Sequence, residues 1–231
     1  MDKQKELTEM LFDLGVAKVG YANLQDILPK EFSYLKSGVS IAIRLSDEVI
    51  SHINATDGPT HTYFHHYRTV NSFIDQTSFI IANQLQKWGY LALPIPASQS
   101  INKNGWNYEG LFQHRTSATQ SGIGWIGKNS CLVTEEFGPR VRLGTVLTNM
   151  VFEYDEPINN SKCGECDLCV KACPSQALKG TMWNTNITRE DMINPDICSK
   201  HMKNAYRNIG RGAVCGICVK VCPKGKDVLK R

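Results

Sequence analysis

Cys163-Gly-Glu-Cys166-Asp-Leu-Cys169-Val-Lys-Ala-Cys173-Pro174 decides how the rest of the chain is read. Its spacing, Cys-x2-Cys-x2-Cys-x3-Cys-Pro, is the bacterial ligation pattern for cubane iron–sulfur clusters. Three thiolates two residues apart on a tight turn wrap three corners of one cubane. The fourth, beside a proline, faces away and ligates a different cluster. A second set of three must then exist, and the chain supplies it as Cys198 followed by Cys215-Gly-Ile-Cys218-Val-Lys-Val-Cys222-Pro223. The expected ligands of one 4Fe–4S cluster are Cys163, Cys166, Cys169 and Cys222. Those of the other are Cys173, Cys198, Cys215 and Cys218, which leaves no cysteine over in the segment.

Zinc and disulfides are the simpler readings. Paired Cys-x2-Cys holds structural zinc, but a third cysteine at the same short spacing, with Cys-Pro closing both runs, is not what a zinc site needs. Disulfides need an oxidising compartment, and Met1-Asp-Lys-Gln-Lys5 is polar and charged, unlike a secretory signal. Nine cysteines without an export signal are expected in a reducing cytoplasm. A length of 231 residues allows one or two domains. With 42% hydrophobic and 21% charged residues the composition is that of a soluble globular protein. No apolar run is long enough to span a bilayer, so no membrane role is expected. A net charge of +4 without a dense basic stripe gives no argument for nucleic-acid binding. Lys224, Lys226, Lys230 and Arg231 read as a solvated basic tail.

Upstream of the cysteines the pattern mixes helices and strands. Leu7, Met10, Leu11 and Leu14 predict an amphipathic helix over 2–14, stopped by Gly15. Val16–Leu24 and Gly38–Leu45 read as strands. Asp57-Gly58-Pro59 is a turn opening a long helix, whose stripe runs Tyr63, Tyr67, Val70, Ile74, Thr77, Ile81, Leu85 and Trp88 and ends at Gly89. His61, His65 and His66 lie at its start without metal-site spacing. Tyr90–Pro96 reads as an edge strand because proline cannot donate to a central ladder. A loop over Ser98–Tyr108, a helix over Leu111–Gln120 and a strand over Val141–Phe152 follow. Asp155–Ser161 reads as a linker, and Ser175–Leu178 and Ile217–Pro223 as helical turns after the cysteine runs. Cys131, the ninth cysteine, reads as a buried inert thiol.

Gly122-Ile-Gly124-Trp-Ile-Gly127 fits Gly-x-Gly-x-x-Gly, and with Lys128 it nearly fits a Walker A loop, except that Asn129 stands where Ser or Thr is required. Both motifs need a strand before and a helix after. Here a helix precedes and the strand-like Ser130–Thr134 follows, so neither reading is adopted. The glycines would let backbone approach a flat ligand, with Lys128 meeting an anionic group; a plain tight connection with a surface lysine is the alternative.

Gln113-His-Arg115-Thr-Ser-Ala-Thr-Gln-Ser-Gly122-Ile-Gly124-Trp-Ile-Gly127-Lys128-Asn129, continuing through Gly138 and Leu143-Gly144, resembles the active-domain signature of the epoxyqueuosine reductases. Cys163 to Pro223 is similar to their electron-transfer domain. The likeness covers most of the chain in outline and is sharp over 111–148 and 163–223. It implies an α+β protein. A nitroreductase-like domain over 1–155 would hold cobalamin, with flavin the less favoured cofactor, and a bacterial two-cluster ferredoxin-like domain would occupy 156–231. The same layout recurs in the reductive dehalogenases. By this likeness Arg115, Gly124, Gly127, Lys128, Asn129, Leu132 and Gly144 would lie at the corrin or substrate. His66, Glu109 and Arg115 would be the polar groups at the cobalt face. The expected electron donor is a low-potential ferredoxin or flavodoxin, and the expected substrate is a small molecule or a corrinoid.

Three departures from the family pattern turn the expectation away from tRNA. Where the tRNA-acting members carry an aspartate acid, this chain has Tyr108 by spacing from Arg115, or Ala97 by alignment on Leu93-Pro-Ile-Pro-Ala97-Ser98. Their Asp-Tyr-His element resembles Phe64-His65-His66-Tyr67 here, without the aspartate. The chain ends at Arg231, before the helical-repeat extension that grips tRNA. The resemblance thus implies a short paralogue with another substrate. The alternatives are an electron-transfer module without its own catalysis, or epoxyqueuosine reduction with a partner that supplies the tRNA grip.

Overall fold

In the computed structural model, which describes residues 2–54, 56–101, 105, 107–210 and 214–226, Asp2 opens the first helix. Its carboxylate accepts the N–H groups of Gln4 and Lys5 at 3.0 and 3.4 Å, satisfying two donors that have no intrahelical partner. Helix α1 (Lys3–Asp13) buries Leu7 and Leu11 completely, while Leu14 is exposed, so its apolar stripe is narrower than four residues. Gly15 at φ +91° ends it.

Two compact units alternate along the chain. The first comprises Met1–Arg44, Val70–Ile123 and Arg142–Ile158; the second comprises Leu45–Thr69, Gly124–Val141 and Asn159–Arg231. One changeover falls between Ile158 and Asn159, inside the linker stretch.

The first unit is built on a four-stranded sheet, with β1 (Lys18–Asn23), β2 (Ser37–Arg44), β6 (Val141–Thr148) and β3 (Ala92–Ile95) in that spatial order. β1 pairs antiparallel with β2, and β3 with β6. In β2 residues Ser37–Ile43 are all buried, as expected of a strand covered on both faces. The proline-bearing β3 is an edge strand, as its sequence requires. Helix α3 (His61–Lys87) buries Ile74, Ile81 and Leu85 fully. It closes at Gly89, φ +89°, where the Tyr90 N–H returns to the Leu85 carbonyl at 3.0 Å.

Helix α4 is shorter than the sequence predicts, spanning only His114–Gln120. Leu111 and Phe112 precede it and pack with Leu24, Leu35, Ile95 and Leu147 instead. Gly20 lets α4 close on the sheet, since a Cβ there would lie 2.5 Å from the Ser121 carbonyl. The buried hydroxyls of Ser40 and Ser117 meet at 2.6 Å across the same contact.

The second unit contains the hairpin β4 (Trp125–Ile126) and β5 (Leu132–Val133), then helices α2 (Asp47–Ser51), α5 (Leu168–Lys171), α6 (Arg189–Met192), α7 (Pro195–Ala205), α8 (Arg207–Gly210) and α9 (Ile217–Lys220). Ser175–Leu178 is not helical: Leu178 makes an antiparallel bridge to Ile193. The helix of the first run lies earlier, at Leu168-Cys-Val-Lys171, while that of the second, Ile217-Cys-Val-Lys220, falls inside the predicted Ile217–Pro223, and the two pack on each other. The glycine after the first cysteine of each run adopts the left-handed conformation, Gly164 at φ +57° and Gly216 at φ +80°. Among the described residues no helix is long and apolar enough to cross a membrane. Asn102, Lys103, Asn104 and Trp106 of the predicted loop, and Lys230 and Arg231 of the basic tail, lie outside the described residues.

Candidate metal centre

Local structure delivers the thiols one by one. α5 carries Cys169, α9 carries Cys218, and α7, capped by the Asn194 side chain, carries Cys198. The others stand on the turns between. Burial pushes Cys169 up to about 12, reinforced by Cys222, Cys163 and Cys166. Burial also raises Cys222, which feels Cys163 and Cys166 and is opposed by the Lys224 N–H and the Arg140 charge. Cys198 rises to about 11 through burial, Cys173, Cys215 and Cys131. Cys215 is raised by burial and by Cys173, against the Ile217 N–H and the Tyr206 hydroxyl. Cys218 is raised by its hydrogen bond with Cys131, by burial, and by Cys215 and Cys198. Cys173 is the exception: burial raises it, but the Ser175 hydroxyl and the N–H groups of Ala177, Ser175 and Leu178 outweigh burial and lower it.

These couplings sort the eight thiols into two groups. Cys163, Cys166, Cys169 and Cys222 sense one another, and so do Cys173, Cys198, Cys215 and Cys218. Among the described residues no three His, Cys, Asp or Glu groups close to the distance at which they would hold a single metal ion. Cys131 has company the sequence reading did not foresee. It is half-buried and engages Cys218 of the second group.

Gly127-Lys128-Asn129-Ser130 is the hairpin turn between β4 and β5. The Gly127 N–H donates to the Cys131 carbonyl at 2.9 Å and the Ser130 N–H to the Gly127 carbonyl at 2.8 Å. A strand follows the turn, so the strand–turn–helix of a nucleotide loop is not formed here. A Cβ on Gly127 would meet Val133 Cγ2 at 2.7 Å, Asn129 Oδ1 at 2.9 Å and Cys163 Sγ at 3.5 Å, and one on Gly124 would strike the Val133 carbonyl. The protein's own chain fills the space these glycines leave. Leu132 is buried in β5. The Asn129 side-chain oxygen Oδ1 is taken by the Cys131 N–H at 3.0 Å. Lys128 is only 8% exposed, not a surface lysine, and its side chain makes no hydrogen bond or ion pair among the described residues. Beside it, the Trp125 ring has the Lys162 and Lys224 ammoniums at 5.6 and 5.8 Å from its centre. Its buried Nε1 has no hydrogen-bond partner among the described residues.

His66 belongs to the second unit. Its Nε2 accepts the Ser46 N–H at 3.0 Å, and burial lowers its pKa. The ring is thus held neutral and committed to the loop that opens α2. Glu109, Arg115 and Gly144 belong to the first unit. Glu109 is exposed, with Oε2 accepting from Asn107 at 2.8 Å. Gly144 is packed under α3, where a Cβ would lie 2.7 Å from Ile74 Cγ2. Arg115 follows His114, a residue the motif reading passed over. His114 Nδ1 meets the Thr145 hydroxyl at 2.9 Å and Nε2 the Pro96 carbonyl at 3.1 Å. Burial lowers its pKa; the Pro96 carbonyl and Asp75 oppose, while Arg142 and Arg115 add to the lowering. Asp75 accepts the Ala97 N–H at 2.8 Å, and Asn71 accepts from Arg142 at 2.8 and 3.0 Å. These polar groups have no local spacing signature, because they come from α3, α4 and β6.

Residues 162–225 match the family described as 4Fe-4S double cluster binding domain. The epoxyqueuosine reductase of Listeria monocytogenes is 38% identical over 121 residues, which is 48% of this chain and 29% of that protein. The epoxyqueuosine reductase of Bacillus anthracis is 32% identical over 156 residues, 64% of this chain and 38% of that one. The chain therefore spans only 29% to 38% of the length of these two curated relatives. A crystal structure of epoxyqueuosine reductase superposes with a TM-score of 0.61 at 22% identity, over 96% of this chain and 65% of that one. The catabolic reductive dehalogenase NpRdhA does so with 0.71 at 17% identity, over 96% and 31%. In sequence the chain is related to the epoxyqueuosine reductases; its fold, α+β with a double 4Fe–4S domain toward the C-terminus, is shared with them and with the reductive dehalogenases.

Proposed function

We propose that this protein is an iron–sulfur oxidoreductase in which two 4Fe–4S clusters, held by Cys163, Cys166, Cys169 and Cys222 and by Cys173, Cys198, Cys215 and Cys218, feed electrons to a corrinoid-dependent reduction. The observation that carries this is the sorting of eight thiols into two mutually coupled fours. The donor set fits: each four would be deprotonated on ligation, and an iron core would compensate the burial and mutual repulsion that raise Cys169, Cys198, Cys215, Cys218 and Cys222. Bound clusters supply one-electron transfer at low potential, about −400 mV for many ferredoxins. A donor such as ferredoxin or flavodoxin suits that range.

The corrinoid rests on two supports. A structural neighbour, 16% identical with a TM-score of 0.69, is described as performing B12-dependent dehalogenation. Within this chain, Lys128 is a largely buried residue whose side chain has no hydrogen bond or ion pair among the described residues, and it suits an acceptor-rich group such as a phosphate or amide edge. Lys128, in the second unit, would hold that edge. Taken by itself, the first unit offers Arg115, next to the doubly tethered His114, as a group to orient a polar substrate group and Glu109 Oε2 as a proton carrier. His66 and Asn129, whose polar atoms are engaged, would position the surrounding loops.

The substrate is inferred to be a small molecule rather than tRNA, because Tyr108 or Ala97 occupies the position of the relatives' acid. Epoxyqueuosine reduction is the second reading, favoured by relatives of that name and by a neighbour solved with a modified tRNA stem loop. Anaerobic reconstitution with iron, sulfide and cobalamin, with flavin in parallel, tests the cofactor. One cobalt per chain after gel filtration is expected. Retention of flavin but not cobalt, or of neither, would overturn the corrinoid and leave an electron-transfer module. Restored queuosine in cells lacking the normal reductase would overturn the exclusion of tRNA.

A further inference from the structure

Arg140 is 3% exposed and ties together three chain segments of the second unit. Its Nη2 donates to the Cys222 carbonyl at 3.0 Å, and its Nη1 to the Lys224 carbonyl at 2.7 Å and the Phe137 carbonyl at 3.4 Å. Its Nε faces Asp47 Oδ1 at 3.9 Å, and its own carbonyl accepts the Leu45 N–H at 2.9 Å. The segments are in backbone contact here: a Cβ on Gly138 would strike the Lys224 carbonyl, and one on Gly225 the backbone of Phe137 and Gly138. A buried guanidinium persists only when its donors are satisfied. Here carbonyls of the Cys222-Pro223-Lys224 loop satisfy them, so this loop cannot shift without stranding the charge.

We infer that Arg140 is a positioning residue for the cluster of Cys163, Cys166, Cys169 and Cys222. It clamps the loop of the one ligand that comes from the distant second run, and it places a fixed positive charge beside that cluster which favours the reduced form. The inference rests on the two-cluster reading. Its charge lies at the ligand residue itself, with Nη2 3.0 Å from the Cys222 carbonyl. Reduction adds one negative charge to a cluster, so a nearby cation raises the potential and a nearby anion lowers it. Asp47 tempers the effect of Arg140. Nothing in the cysteine spacing encodes this pair, which lies 82 residues before Cys222 at its nearer member.

The wild-type 231-residue chain, Arg140→Gln, Arg140→Lys and Asp47→Asn, each reconstituted with iron and sulfide, would be titrated electrochemically with EPR detection. Cys198→Ser, which removes a ligand of the other cluster, identifies the signal to follow. Arg140→Gln is expected to lower the midpoint of the Cys222 cluster and leave the other in place. Asp47→Asn is expected to move the same midpoint upward. Arg140→Lys, which keeps the charge but not the planar fork, should hold the midpoint while a chelator strips that cluster faster. Equal shifts of both clusters, or unchanged midpoints in Arg140→Gln, would overturn the inference. If Arg140→Gln does not accumulate, an unchanged or lowered midpoint in Asp47→Asn overturns it instead. Wild type that takes up half the expected iron would refute the underlying two-cluster reading, a different result from unmoved midpoints.

Discussion

His114 is held at both ring nitrogens, by the Thr145 hydroxyl and the Pro96 carbonyl, and burial keeps its pKa below the ordinary 6.5. The unfolded chain therefore binds this proton more readily than the folded one. The resulting stability is full above pH 6.5 and drains as the pH falls through 6.5 toward the lowered folded value. His114→Gln should lower stability at neutral pH by about 1–3 kcal/mol through the broken pair of hydrogen bonds. It should also flatten the fall of Tm below pH 6.5, and thermal unfolding followed against pH checks both effects. The spacing rule reached the cysteines because ligation by a short run is a local property of the chain. It could not reach His114 or Arg140, whose partners lie 18 and 31 or 84 and 82 residues away. His66 was legible as a polar residue at a helix start, but its engagement with the Ser46 N–H was not, because that contact needs a loop from elsewhere in the sequence.

Glycine carries different weight from one element to the next. Gly164 has φ +57° with nothing within 4 Å of where a Cβ would stand. Gly138 has φ +56° and backs onto the Lys224 carbonyl. Gly164→Ala should therefore cost only the left-handed conformation, about 1–2 kcal/mol. Gly138→Ala should cost more, because a backbone carbonyl must move as well. Denaturant midpoints of the two variants, compared with wild type, would separate the two costs. The strongest elements were legible by period: α3 from its long stripe, β2 from its β-branched run, and the edge position of β3 from its prolines. Leu111–Phe112 misled because an apolar pair continues a helical pattern equally well whether it lies in the helix or, as here, packs against Leu24 and Leu147 before it begins. Of the two helical turns expected at the cysteine runs, Ile217–Pro223 holds the helix Ile217–Lys220, whereas Ser175–Leu178 is not helical and the matching helix lies earlier, at Leu168–Lys171 around Cys169.

At the scale of the whole molecule, the unit that carries the thiols also takes in Leu45–Thr69 and Gly124–Val141. A linear reading sees the cysteine runs and the glycine-rich stretch as neighbours in sequence only. In space the turn of that stretch brings Gly127 close to Cys163, and Arg140 reaches Cys222. Two electron-carrying groups at fixed places in one unit are what the proposed reduction requires of the fold. The most direct test counts iron and acid-labile sulfide per chain, with Mössbauer spectra, on anaerobically reconstituted wild type, Cys222→Ser and Cys198→Ser. About eight irons in wild type and about four in each serine variant, with a different cluster lost in each, are expected. Four irons or fewer in wild type after full reconstitution, or loss of the same cluster in both variants, would contradict the two-cluster assignment.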